Sequence, residues 1–199
     1  MSKAAITAIG AGLLLGVGVL AWALIPSERQ PDLPSFALPN WDGQTISNQS
    51  LAGKTTLLGF TFAKCTASCS MLTHMLKALD EELTSPANVQ YLHVSVNPAA
   101  DTPEEILKHF AKHGIDPKQD RRWLFLTGEQ PRVAGVLKDF GITVEGAAAA
   151  GGEALRHTIK VLVIDPTGKP TAAFDTYFWD KEDMLRALRS ASAFAQPRD

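Results

Sequence analysis

Cysteine is nearly absent from this chain: its 199 residues hold two, Cys65 and Cys69. Two thiols cannot build the multi-bridge framework of a small secreted scaffold. Nor do they complete the four-ligand cage of a structural zinc site. An excess of charge is missing too, with 19 Lys and Arg against 21 Asp and Glu. That balance lacks the basic surface of a nucleic-acid binder and points to no acidic target. No internal repeat is visible. Disorder is excluded by a 45% hydrophobic content that includes four Trp and nine Phe.

Charge is missing altogether from Ala4 to Pro26, AAITAIGAGLLLGVGVLAWALIP. A helix of that length, at about 1.5 Å per residue, spans the roughly 30 Å hydrocarbon core of a bilayer. Lys3 precedes the run, while Glu28, Arg29 and Asp32 follow it. The positive end then stays in the cytoplasm and the remainder is exported. Residues 1–26 are therefore expected to be one N-terminal transmembrane anchor. A cleaved signal peptide is the alternative, with Ala21-Trp22-Ala23 as its site, but the run exceeds the usual apolar stretch of about 7–15 residues. The expected location is the inner membrane with the domain on the periplasmic side, or the soluble periplasm after cleavage. Residues 27–34, SERQPDLP, read as a linker, and 35–199 as the folded domain.

Within that domain, Phe36 to Leu38 and Gln44 to Ile46 flank Asp42-Gly43, a hairpin signal. TTLLGFTF (55–62) is a near-continuous apolar run, as in a strand buried on both faces. A helix is expected next, with Cys69, Leu72, Leu76, Leu79 and Leu83 as its inward stripe and Met75 beside them. VQYLHVSV (89–96) alternates and predicts a second strand. Thr102-Pro103-Glu104-Glu105 has the form of a capping box, opening a helix that ends near His113 before Gly114. WLFL (123–126) predicts a third strand, and 130–140 a helix closed by Gly141. Residues 143–156 read as a long loop. IKVLVID (159–165) and TAAF (171–174) flank a Pro166-Thr167-Gly168 turn, and Asp180 caps a last helix to about Phe194. The pattern predicts an α/β fold with a mixed central sheet flanked by helices.

Cys65 stands after a buried strand and before a helix, where open α/β sheets place their sites. The helix N-terminus favours thiolate over thiol. Spacing of C-x3-C leaves two chemistries open. With Cys65 just outside the helix a disulfide is feasible after a small adjustment, and a metal between two sulfurs needs no such closeness. A purely structural disulfide would close a short loop and gain little.

Five histidines are candidates for a third ligand. His74 lies off the apolar stripe and reads as solvated. His93 reads as packed or hydrogen-bonded. His109 and His113, four apart, could form a surface metal pair with Glu105, though a merely polar face is the commoner reading. His157 precedes the strand 159–165. If that strand runs antiparallel to 55–62, His157 approaches Cys65 and Cys69. Two thiolates and one imidazole suit copper, Cu(I) in particular, with Cu(II) also conceivable. Met71 and Met75 could lend thioethers, but helical methionines are usually core filler.

With these features the chain resembles the Sco/SenC group of thioredoxin-like copper chaperones. The resemblance covers about Phe36 to Phe194. It rests on FALPNWDGQTIS with LAGKTTLLGFTF, Cys65-x3-Cys69, SVNPAADTPEEI, LTG (126–128), and His157-Thr158 before VLVIDPTG. It implies a thioredoxin-like fold tethered by one N-terminal helix. It implies one copper ion per chain on Cys65, Cys69 and His157, passed to the dinuclear copper centre of a respiratory oxidase subunit. A thioredoxin-like reductant would keep the thiols reduced. Where the family commonly has proline after each cysteine this chain has Thr66 and Ser70, and the family's SVDP is SVNP, with Asn97. Such a chaperone is a binding protein and not an enzyme. A thiol–disulfide oxidoreductase acting on oxidase cysteines is the alternative, and a copper or redox sensor a further one. No proline lies between Gly151 and Val161, where thioredoxin-type reductases carry one, which favours metal.

Overall fold

A computed structural model describes residues 32–64, 68–83, 88–146 and 155–193. These belong to the second of two units, Asp32–Asp199; the first, Met1–Pro31, holds the apolar segment and lies outside the described residues. Among the described residues no helix is long and apolar enough to cross a membrane.

The chain opens with an antiparallel hairpin, β1 (Ala37–Pro39) and β2 (Thr45–Ser47). Its turn is the one expected from Asp42-Gly43. Gly43 sits at φ +86°, and the Asp42 carboxylate accepts the Gln44 amide at 3.2 Å. A 3-10 turn at Asn48–Leu51 leads into β3 (Thr55–Thr61). Then follow α1 (Ser68–Glu82), β4 (Val89–Ser95), α2 (Pro103–Lys112), β5 (Trp123–Leu126) and α3 (Gln130–Asp139). The last part runs β6 (Val144–Glu145), β7 (Arg156–His157), β8 (Val161–Ile164), β9 (Pro170–Phe174) and α4 (Lys181–Ala193).

Five strands make the central sheet, in the order β5-β4-β3-β8-β9. β3, β4 and β5 are parallel, while β8 runs antiparallel to β3 and β9 to β8. The mixed sheet matches the expectation. Its two faces carry separate cores. Leu57, Tyr91, Trp123 and Val163 pack with Leu72, Leu76 and Leu79 of α1, Ile106 and Phe110 of α2, and Met184 and Leu188 of α4. Leu58, Phe60, Leu92 and Val94 pack with Val133 and Leu137 of α3 and with Phe36, Leu38 and Ile46 of the hairpin. Each fully buried leucine contributes about 1.5–3 kcal/mol by leaving water. Helix α1 lies directly on β3: a Cβ at Gly59 would meet Leu72 Cδ2 at 2.6 Å, so the strand has glycine where the helix crosses.

The strand expected at 89–96 forms as β4, and every residue of it is buried because other elements cover both sides. Two local expectations change. The capping box is half formed. Thr102 Oγ1 accepts the Glu105 amide at 3.3 Å, while the Glu105 carboxylate pairs with Lys108. The stretch 143–156 is not all loop, since β6 and β7 form a two-residue ribbon that pairs Val144 with His157.

Candidate functional site

The sequence placed its thiols at the carboxyl end of β3. Cys65 lies outside the described residues, and Cys69 falls in the first turn of α1 with its side chain likewise outside them. The surroundings are well defined. β8 pairs with β3 so that Val161 faces Gly59 and Ile164 faces Thr56. Carried four residues further, that register sets His157 level with Ala63, two residues before Cys65. The side chains agree: the His157 ring stands edge-on to Phe62 with centroids 6.4 Å apart. The ring is half-buried, and burial lowers its pKa, so it is a neutral imidazole at neutral pH. Its Nδ1 lies 2.9 Å from the Thr158 carbonyl. A carbonyl only accepts, so Nδ1 carries the proton and Nε2 carries the lone pair, the tautomer a metal ligand needs.

Ala63 is held from both sides. Its amide donates to Asp101 Oδ1 at 2.9 Å, and its carbonyl faces His109 Nδ1 at 3.2 Å. Asp101 also accepts the Ser95 hydroxyl at 2.5 Å, and Ser95 Oγ accepts the Asn97 amide. Burial pushes the Asp101 carboxyl up to about 6, against the pull of the Ser95 hydroxyl, the Ala63 amide and the Lys64 charge. From His109 the chain of contacts continues inward. Thr73 Oγ1 lies 2.8 Å from His109 Nε2 and 3.1 Å from His93 Nε2, and His93 Nδ1 lies 3.3 Å from the Leu124 carbonyl. Both rings are buried, which lowers His93 to about 3 and His109 to about 4. Deeper along the same face of β4, Tyr91 donates to Asp80, which also takes Arg122 through two nitrogens. One face of β4 is thus a polar seam that ends at the peptide leading into the cysteine segment. Next to it, Asn97 is buried with no partner for its side-chain amide among the described residues.

The SCO1/SenC family model matches residues 26–193. The chain belongs to the SCO1/SenC family. Among curated relatives, the SCO1 protein homolog of Bacillus subtilis is 28% identical over 165 residues, covering 81% of this chain and 83% of its own. The SCO2-like protein of Rickettsia felis is 27% identical over 177 residues, covering 79% and 82%. Among solved structures, a SCO1/SenC family lipoprotein from Bacillus anthracis superposes with TM-score 0.69 at 24% identity, over 84% of this chain and 98% of that one. Bradyrhizobium japonicum ScoI with copper bound gives 0.64 at 21%, over 81% and 100%. BsSco, reported with a disulfide switch and as a member of the Sco family of cytochrome c oxidase assembly proteins, gives 0.68 at 24%, over 83% and 96%. At these identities the superpositions establish the fold, and the α/β expectation stands as a Sco-type, thioredoxin-like arrangement.

Of the five histidines in this SCO1/SenC chain, His157 and His109 reach the sheet end where the cysteines were expected, and His109 has both ring nitrogens engaged by Ala63 and Thr73. His74 is exposed on α1 and His93 is buried and hydrogen-bonded, as read from the sequence. The surface pair His109–His113 is overturned: His109 is buried between Thr73 and Ala63 with both nitrogens engaged. Met71 and Met75 pack against the core. Asp101 and Thr73 escaped sequence reasoning. Asp101 was hidden beside its capping neighbour Thr102, and Thr73 looked like one more helical residue. Their partners Ser95 and His93 did share one face of a strand, which was the available signal. Among the described residues no group of three or more His, Cys, Asp and Glu is arranged to hold a metal; both sulfurs stand outside that set.

Proposed function

We propose that this protein carries copper on the exported side of the inner membrane, holding one ion on Cys65, Cys69 and His157 for delivery to a respiratory oxidase. The observation that carries the reading is the position of His157. A half-buried neutral imidazole, with Nδ1 committed to Thr158, stands level with the last residues before the cysteine segment. Two thiolates and one imidazole form a soft donor set that suits copper, and Cu(I) above all. Family membership and the copper-bound relatives among the structural neighbours support the cargo. The description of BsSco as belonging to a family of oxidase assembly proteins supports the recipient. The uncharged segment 4–26 supports the tether.

The test is a copper titration of the full chain in detergent, with Cu(I) and Cu(II) separately. A 1:1 complex at this site with sulfur-to-copper charge-transfer absorption is expected. Cys65→Ser, Cys69→Ser and His157→Ala should each weaken it by tenfold or more. Undiminished binding in all three variants would rule the site out.

A second reading has its own support, because BsSco is described with a disulfide switch and Cys69 falls in the first turn of α1. As a dithiol the pair would give two electrons and two protons to a partner disulfide and become a disulfide itself. His157→Ala separates the readings: a reductase keeps its turnover with a dithiol recipient, a copper carrier loses affinity.

A further inference from the structure

Helices α1 and α2 are joined by hydroxyl–imidazole contacts at two successive levels. At the inner level Thr73 bonds His109. At the outer level Ser70 Oγ lies 3.1 Å from His113 Nε2. Beside that outer contact stands a second ring, His74, one residue after Thr73. The His74 and His113 centroids are 6.5 Å apart, with His74 exposed and His113 half-buried.

We propose that His74 and His113 form a second metal site, separate from the cysteines, that takes one copper(II) ion. Three observations carry it. The first is spacing. A metal–imidazole bond of about 2.0–2.1 Å sets each ring centre about 3.2 Å from the ion, so two rings on one ion have centres up to about 6.4 Å apart. The observed 6.5 Å lies just beyond that limit, so binding requires the exposed His74 side chain to move inward by a rotamer change. The second is support for the ligand. A ligating histidine commonly donates its other ring N–H to an oxygen, which fixes the tautomer. The site requires Ser70 Oγ, 3.1 Å away, to take that role for His113 Nε2, so that Nδ1 keeps the lone pair for the ion. The third is location. His113 is the C-terminal cap of α2, where the helix dipole favours a cation.

The neighbouring groups define the limits of the site. His109 is 5.2 Å from His113 by ring centroids, but Ala63 and Thr73 occupy both its nitrogens. Burial is the main cause that disfavours protonation of His113, with the neighbouring Lys112 charge acting in the same sense. A neutral imidazole is the form that binds metal. Two imidazoles with water in the remaining positions rank copper(II) above the other first-row divalent ions. His74 follows Cys69 by five residues on α1, about 7.5 Å of helix rise, so the second ion would be stationed beside the sulfur-bearing turn. Ser70 is also one of the positions where this chain departs from the family's usual proline.

The experiment removes the first site and asks what remains. The full chain carrying Cys65→Ser, Cys69→Ser and His157→Ala is titrated in detergent with copper(II) alone, against excess glycine as competitor. One equivalent is expected, with imidazole-nitrogen couplings in its electron paramagnetic resonance spectrum. Adding His74→Ala should weaken it at least tenfold, with an unchanged thermal midpoint because that side chain is exposed. His113→Gln should do the same, and Ser70→Ala should weaken it several-fold. No copper(II) bound in the triple variant, or binding undiminished by His74→Ala, overturns the site. Failure of the cysteine reading is a different result: wild type and triple variant would then bind copper equally.

Discussion

Thr73 has one hydroxyl proton and two imidazole nitrogens to satisfy. The Ala63 and Leu124 carbonyls hold the Nδ1 protons of His109 and His93, so both Nε2 atoms are acceptors. The hydroxyl serves one ring at a time, and the other Nε2 faces an oxygen lone pair. Thr73→Val keeps the shape and removes the proton. It should cost about 1–3 kcal/mol in urea unfolding, the usual penalty for a buried polar group left without its bond. Thr73→Ser should recover most of that. The arrangement was only half legible in the sequence. His93 on a strand between hydrophobic residues announced a buried imidazole. Its partner did not, because a threonine on a helix and a histidine on the next helix meet only after three elements have packed.

The crossing of α1 over β3 leaves no space for a side chain at Gly59. Gly59→Ala would put a methyl group into Leu72, a fully buried side chain with no room to retreat. A loss of about 1–3 kcal/mol is expected, as for other overpacked cores, read from the shift in denaturant midpoint at unchanged slope. Strand β3 was plain from its near-continuous apolar run, and α1 from its leucine spacing. The alternation of β4 marked a strand with two different faces, but period two does not say whether either face is wet, and here both are buried. The β6–β7 ribbon had no signal, being two residues long on each side. His157 was still placed correctly along the sheet, because the antiparallel reading of β8 fixed where the chain before it must run.

Across the whole molecule, buried titratable groups act in opposite senses. His93 and His109 bind their protons at about 3 and about 4 when folded, against 6.5 when unfolded. Both therefore contribute stability above pH 6.5 that is lost as pH falls through their folded values. Asp101 is raised to about 6 from 3.8, so its contribution is full below 3.8 and lost as pH rises through 6. Between pH 4 and 6 the unfolded chain binds two extra protons at the histidines, and the folded chain binds one extra at Asp101. Stability should rise with pH there by about 1.4 kcal/mol per unit, with the lowered His113 and His157 acting in the same sense. Asp101→Asn should steepen the slope by a further ~1.4 kcal/mol per unit, measured as urea midpoints across the range.

Anchorage is unequal on the two sides of the candidate site. The Ala63 amide is tied to the buried Asp101 carboxylate, whereas the Thr158 amide hangs on the Thr143 carbonyl at the edge of a two-rung ribbon. Local opening should cost much less at the ribbon, so deuterium should replace the Thr158 proton well before that of Ala63. A soft ion shared between the two banks would then be let go from the imidazole bank first, leaving the sulfur bank as the last hand on the cargo.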